Sequence, residues 1–222
     1  MVNCRFYVTA TYVPSDKVRP LLPKGYSTKG VSSAVTSVGL QIYDCEAFVV
    51  DNQTVIKAAR IAVVLAAVST NETLSKGADS SFYLLESFAE QDSIVGLMAR
   101  LGFNTTKAAI ELSNKSTNAG ANISANVTVG GELWYHAEGG SGEGPTAEVA
   151  TKDRWHQVSA SGHAIWANDD RVHQQPSYPG PGTIVAKHGV LKHFETTEDA
   201  PIGGIMWLTS SKDRMSFGKL PL

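Results

Sequence analysis

Residues 82–113 read FYLLESFAEQDSIVGLMARLGFNTTKAAIELS, and this segment decides the fold because it predicts a strand, a short helix, a glycine turn and a second strand. The apolar run at residues 82–85 is typical of a strand. Asp92 or Ser93 can cap the helix that follows. The apolar positions at helical spacing are Ile94, Leu97, Met98 and Leu101. Gly102 lies where helices commonly end in the left-handed conformation, so we expect the chain to turn back there.

The rest of the chain favours strands joined by short turns. Residues 55–69 are apolar on both alternating faces, which is typical of a barrel wall or of a strand beneath a helix. Residues 183–194 predict a strand, whereas four glycines at 138–145 and three prolines at 174–182 predict loops. With ten or more strands and two or three short helices, we expect a mainly β (α+β) fold. The simplest form is an antiparallel closed or nearly closed β-barrel in one domain, residues 1–222.

Composition excludes several classes of protein. With 42% hydrophobic and 18% charged residues, the chain can bury a sizeable core. A net charge of −2 with mixed signs and no basic block predicts no nucleic-acid surface. The longest apolar run, residues 61–68, is too short to cross a bilayer, which needs about 20 residues, so no membrane span is expected.

Two features bear on the compartment. Asn-x-Ser/Thr sequons, which favour a secreted glycoprotein, occur at Asn52, Asn71, Asn104, Asn114, Asn122 and Asn126. A cytoplasmic chain rich in Ser and Thr gives the same pattern, so both locations stay open. Cys4 and Cys45 fall in predicted strands and are either a disulfide or two buried thiols. The sequence also leaves open whether the chain forms a homo-oligomer.

Two motifs carry a resemblance to a known family. Residues 11–27 read TYVPSDKVRPLLPKGYS, an opening strand, a short helix and a Leu-Leu-Pro-x-Gly exit. Together with the central segment, this motif resembles the acetoacetate decarboxylase family, over about residues 6–113. The resemblance implies a β-rich barrel with an interior cavity. In the family, the central turn leads into a Pro-Lys-Lys segment with the Schiff-base lysine.

The chain departs from that pattern where the family chemistry lies. Asn104, Thr105 and Thr106 stand where the resemblance expects Pro-Lys-Lys, and Lys107 follows. The expected carboxylate before the lysine strand is replaced by the basic stretch at residues 57–60. The resemblance therefore implies a cavity from which the original chemistry is absent.

The remaining residue types suggest acid/base chemistry or simple binding. The candidate catalytic residues are Glu86, His136 and Lys107, and the candidate ligand-binding residues are Lys57, Arg60 and Trp134. The basic pair could hold a carboxylate or phosphate, although such pairs are more often solvated, and tryptophan more often fills a core. The six histidines show no metal-binding spacing, so neither a metal nor another cofactor is expected.

Three functions follow from these residues. The first is a non-decarboxylating enzyme that acts on a small organic molecule by acid/base chemistry, as a lyase, isomerase, hydratase or cyclase. The second is a noncatalytic protein that binds a small molecule in the same cavity. The third, ranked last, is a Schiff-base decarboxylase that uses Lys107.

Overall fold

The chain forms one large sheet with short helices beside it. The structure, a computed structural model, describes residues 2–30, 32–50, 54–70, 72–75, 77–117, 120–141, 146–159, 162–176, 179–194, 203–212 and 215–220. The strands are β1 (Val2–Pro14), β2 (Ser27–Thr28), β3 (Val35–Val50), β4 (Thr54–Ser69), β5 (Ser80–Ala89), β6 (Thr106–Lys107), β7 (Ala109–Thr117), β8 (Gly120–Val129), β9 (Glu132–Ser141), β10 (Thr146–Ser159), β11 (Gly162–Pro176), β12 (Pro179–Ala186), β13 (Gly203–Lys212) and β14 (Met215–Leu220). The helices are α1 (Ser15–Val18), α2 (Glu72–Ser75), α3 (Asp92–Arg100) and α4 (Gly189–Lys192), with a 3-10 turn at Arg19–Leu21.

Strand pairing is mostly antiparallel and follows the order β14-β11-β10-β5-β4-β3-β1-β13-β12-β9-β8-β7. β11 also pairs with β13, so the pairings form a circuit from β11 through β10, β5, β4, β3, β1 and β13. The predicted mainly β class is confirmed. The described residues contain the short α-helices α1, α2, α3 and α4 beside the sheet.

A wall of four strands, β1, β3, β4 and β5, separates two cores. One side of this wall, which we call the interior face, includes Val38, Leu40, Ile42, Ala62, Val64 and Ala66. The other side, the helix face, includes Tyr43, Cys45, Ile61, Val63 and Leu65. Because successive side chains of a strand point to opposite faces, β4 is buried on both sides, as its sequence predicts.

The helix face is covered by α3 and by two tryptophans. Helix α3 buries Ile94, Leu97 and Met98 in this core, as their spacing predicts, and Gly102 follows it with φ +95°. Trp155 and Trp166 lie opposite each other on β10 and β11 and join the same core. Cys4 and Cys45 are directly paired on β1 and β3 and form a disulfide bond, which settles the question that the sequence left open.

The interior face packs against the β7–β9 meander, β12 and α4. The core includes Val127, Tyr135, Ile184 and Leu191 from these elements. Glycines at positions 130 and 131 have positive φ and allow the tight β8–β9 turn. The site described below lies where α4 meets this core.

Several local predictions were wrong. Residues 138–141 continue β9, and residues 174–176 and 179–182 belong to β11 and β12, because ladder pairing accepts Gly and Pro there; residues 142–145 and 177–178 lie outside the described part. The strand predicted at 183–194 ends at Ala186, and α4 follows. Gln91 rather than Asp92 or Ser93 precedes α3, and its side chain donates to the Lys57 and Ala58 carbonyls.

Among the described residues, every helix is too short or too polar to cross a bilayer. Asn52 and Asn71 lie outside the described residues.

Candidate active site

A carboxyl group is held in the interior by two donors. Glu86 projects from β5 beside Val64 of β4, on the interior face. The Tyr135 hydroxyl donates a hydrogen bond to Glu86 Oε2. The backbone N–H of Val190 donates to Glu86 Oε1 at 2.9 Å. Both carboxyl oxygens therefore have fixed partners, which come from β9 and α4.

The chain can deliver the Val190 amide because Gly189 precedes it in a left-handed conformation, with φ +70°. A residue with a Cβ is strained there. A Cβ at position 189 would also collide with the Tyr135 hydroxyl and come within 2.9 Å of Glu86 Oε1. Glycine is therefore required both by the backbone and by the close approach of the two side chains.

Burial sets the acid/base properties of the pair. It raises the pKa of Glu86, and the hydrogen bonds from Tyr135 and Val190, together with the charge of His193, oppose that rise without cancelling it. Burial and the adjacent Glu86 charge raise the pKa of Tyr135, which keeps its hydroxyl protonated. The Glu86 carboxylate is therefore a stronger base than an exposed one, beside a hydroxyl that can donate.

Aromatic rings surround the pair. Phe88, two residues after Glu86, has its ring centre 5.9 Å from that of Tyr135 and 5.7 Å from that of Trp134. The Trp134 ring lies 6.0 Å from that of His188, just before α4. These rings form one aromatic cluster on the Tyr135 side of the pair.

Solved structures share this architecture over nearly the whole chain. The enduracididine biosynthesis enzyme MppR matches with a TM-score of 0.64 and 12% identity, covering 96% of this chain and 85% of its own. Acetoacetate decarboxylase from Legionella pneumophila matches with a TM-score of 0.64 and 13% identity, covering 97% and 85%. An acetoacetate decarboxylase-like enzyme from Sphingomonas wittichii RW1 matches with a TM-score of 0.62 and 11% identity, covering 99% and 92%.

This chain has an acetoacetate decarboxylase-like fold. The resemblance seen in two motifs of the sequence is thereby confirmed, and it extends beyond residue 113. Neither a scan against protein-family models nor a search of curated proteins finds a match to the sequence.

His136 lies on the opposite side of β9 from Tyr135. Its Nδ1 is 2.7 Å from Asn126 Oδ1, and its Nε2 is 3.6 Å from Glu138. The structure thus joins Glu86 to Tyr135 rather than to His136. Trp134 does lie beside the site, through its contacts with Phe88 and Tyr135.

The segment that replaces the family lysines lies at the edge of β5. Thr105 Oγ1 is 3.1 Å from Ser87 Oγ, and Thr106 pairs with Phe88 in a short parallel ladder. The Lys107 side chain is 53% exposed and forms a 3.0 Å ion pair with Asp92 at the start of α3. A Schiff-base lysine needs burial or a neighbouring cation, and Lys107 is exposed beside a carboxylate.

The predicted basic pair is divided between two environments. Lys57 is exposed, and its carbonyl accepts from Gln91. Arg60 contacts Asp44 at 3.3 Å, Glu90 at 3.8 Å and the Ile110 carbonyl at 3.1 Å. Protein carboxylates and a carbonyl therefore occupy the Arg60 guanidinium, so fewer of its N–H groups remain for a ligand.

A second polar cluster consists of Tyr26, His156 and His163, and it lies beside Tyr83 of β5. The Tyr26 hydroxyl is 2.7 Å from His163 Nε2, which is 3.3 Å from His156 Nδ1. Burial lowers the pKa of His156 to about 4, and it lowers that of His163. Within the described residues, no group of three or more His, Cys, Asp or Glu could hold a metal.

Sequence reasoning missed Tyr135, Gly189 and Val190. Tyr135 is adjacent to the predicted His136, but a register shift near Val127 hid which of the two points inward. The glycine at 189 was the available signal for a break in the predicted strand. Nothing in the sequence links position 190 to position 86.

Proposed function

We propose that this protein is an enzyme that moves a proton at the carbon next to the carbonyl of a small organic molecule, with Glu86 as the base. The observation that carries the proposal is the pairing of the Glu86 carboxyl with the Tyr135 hydroxyl in a partly buried setting. A desolvated carboxyl with a raised pKa, beside a polar donor, is typical of a catalytic base.

The proposed step balances without a redox partner. The Glu86 carboxylate accepts a proton from the carbon, and the C–H electron pair becomes an enolate. Once protonated, Glu86 no longer needs the hydrogen bond from Tyr135, so the Tyr135 hydroxyl can donate to the enolate oxygen. Return of the proton from Glu86 to the same or another carbon completes an exchange or an isomerisation.

The fold comparisons support a small carbonyl compound as substrate. Structures of MppR are described as complexed with pyruvate and with the condensation product of pyruvate and imidazole 4-carboxaldehyde. At 12% identity these matches establish the fold alone, so pyruvate and simple ketones are starting probes for this chain.

Exchange of carbon-bound protons tests the proposal. Wild-type protein is incubated in D₂O with pyruvate or 2-pentanone, and loss of the α-proton signal is followed by NMR. We expect Glu86→Gln to lower the catalysed rate by roughly 100-fold or more, the usual contribution of a general base. Glu111→Gln, which alters an exposed glutamate on β7, is the matched control and keeps the wild-type rate.

Other outcomes point to the other functions. Binding of a probe by the wild type without exchange supports the noncatalytic binder. Borohydride trapping of pyruvate on Lys107, seen by mass spectrometry, supports Schiff-base chemistry instead. Equal exchange rates for wild type and Glu86→Gln contradict the proposal directly.

A further inference from the structure

The Cys4–Cys45 disulfide bears on the compartment, which the sequence leaves open. Both cysteines are buried, and they pair directly across β1 and β3. Disulfides form and persist in oxidising compartments, and they are rare where glutathione and thioredoxin keep thiols reduced. The bond therefore favours a chain that passes through an oxidising compartment such as the secretory pathway, where asparagine side chains are glycosylated.

The asparagines of the chain point to the same compartment. Six of the nine asparagines begin an Asn-x-Ser/Thr sequon, whereas chance pairing with this serine and threonine content gives about one or two. This excess and the disulfide are separate observations, because one concerns an acceptor motif and the other concerns the redox state of two buried cysteines. Together they favour a glycoprotein over a chain that is merely rich in serine and threonine.

Two sequon asparagines, Asn104 and Asn126, have side chains within the described part of the structure, and their amides differ in accessibility. Asn126 lies on β8 and is half-buried. Its Nδ2 donates to Glu111 Oε2 at 3.1 Å, and its Oδ1 lies 2.7 Å from His136 Nδ1. Side chains of the two neighbouring strands therefore engage both polar atoms of the Asn126 amide.

Asn104, in contrast, is exposed to solvent. It follows the left-handed turn at Gly102 and lies just before β6. The hydrogen bond that it forms within the described residues uses its backbone N–H, which donates to Gln157 Oε1 at 2.6 Å. The preceding residue, Phe103, is buried in the helix-face core. The main chain is therefore held at this point, and the Asn104 side chain remains accessible to a modifying enzyme.

The segment from Asn104 to Thr106 exposes both side chains that define the sequon. Thr105, the middle residue, is half-buried, and its Oγ1 lies 3.1 Å from Ser87 Oγ. Thr106 is exposed, as Asn104 is. This pattern is typical of extended chain, in which successive side chains point to opposite sides. The amide of Asn104 and the hydroxyl of Thr106 are therefore both accessible from solvent, while Thr105 anchors the segment to β5.

We propose that Asn104 carries an N-linked oligosaccharide. In this modification, Asn104 Nδ2 forms a bond to the anomeric carbon of a lipid diphosphate-linked oligosaccharide, and the bond between that carbon and the diphosphate oxygen breaks. The amide nitrogen loses one proton, and the lipid diphosphate leaves with the electron pair of the broken bond. The step needs no oxidant or reductant, and it is independent of the reaction proposed for Glu86.

Mass spectrometry of the protein purified from the cells that naturally make it tests this proposal. Removal of glycans by peptide N-glycosidase in H₂¹⁸O converts each modified asparagine into a labelled aspartate, which is about 3 Da heavier. We expect this label at Asn104, and we expect Cys4 and Cys45 to react with a thiol reagent only after reduction. An Asn104 without the label, or free thiols at both cysteines before reduction, overturns the proposal.

Two substitutions of Thr106, expressed in the same cells, form a matched pair. Thr106→Val keeps a β-branched side chain but removes the hydroxyl, so we expect the label at Asn104 to be lost. Thr106→Ser keeps a hydroxyl at that position, so the label remains. Thr106 is exposed, and thermal unfolding verifies that both variants fold. A label at Asn104 that survives in Thr106→Val contradicts attachment directed by this sequon.

Discussion

The two faces of the four-strand wall are built from the same strands and differ in what they bury. The helix face holds the Cys4–Cys45 disulfide, the apolar side of α3 and the tilted ring pair of Trp155 and Trp166. The interior face holds equally buried hydrocarbon, but it adds Glu86 on β5 and the hydroxyls of Tyr7, Thr9 and Thr11 on β1. Alternation along a strand therefore lets one face be wholly apolar in this region while the other also holds polar groups.

The largest expected loss of proton exchange that does not come from a loss of folding is at Gly189. We expect Gly189→Ala to lower the proton-exchange rate by about 100-fold, because the new methyl group displaces the Tyr135 hydroxyl from Glu86. Gly77→Ala is the matched control, since Gly77 has a similar φ of +72° and a Cβ added there would meet nothing within 4 Å. Both variants are measured by exchange kinetics and by thermal unfolding. Similar loss of exchange in both would show that strain, rather than displacement, is the cause.

A second contrast lies between Glu86 on β5 and His156 on β10. The pKa of His156 is about 4 in the folded protein against 6.5 for an ordinary histidine. The unfolded chain therefore takes up this proton first as the pH falls, and acid favours unfolding. We expect stability to fall by about 3 kcal/mol between pH 6.5 and pH 4 from this residue alone.

Urea unfolding of His156→Gln at several pH values measures that contribution. The variant loses less stability than the wild type over the same pH range. Parallel pH dependence of wild type and His156→Gln contradicts the assignment. This test distinguishes His156, which lowers the stability of the folded protein in acid, from Glu86, which is proposed to react.

The smallest effects come from two adjacent valines. Val63 and Val64 are both 0% exposed and point to the helix face and the interior face respectively. We expect Val63→Ala and Val64→Ala each to cost about 2 kcal/mol of unfolding free energy. Only Val64→Ala also lowers the rate of proton exchange, because Val64 pairs with Glu86 and a cavity beside it loosens the carboxyl. A loss of exchange rate of the same size in both variants contradicts the division between faces.

The sequence predicted much of the helix face and little of the site's assembly. Residues 94, 97 and 98 repeat at helical spacing, and β4 is apolar on both parities, so local pattern alone was sufficient there. Glu86 was a candidate because it lies in the central segment, directly after the apolar run at residues 82–85. Its partners depend on which of Tyr135 and His136 faces inward and on an amide 104 residues away, which local pattern does not encode.

The central claim is that Glu86 is a partly buried base whose pKa Tyr135 controls. The most direct measurement is a ¹³C NMR titration of the Glu86 side-chain carboxyl in wild type and in Tyr135→Phe. The account predicts a midpoint above the ordinary 4.5 in the wild type and a higher one in the variant, because a hydrogen bond that favours the charged form is lost. A wild-type midpoint at or below 4.5, or one that Tyr135→Phe leaves unchanged, would contradict it.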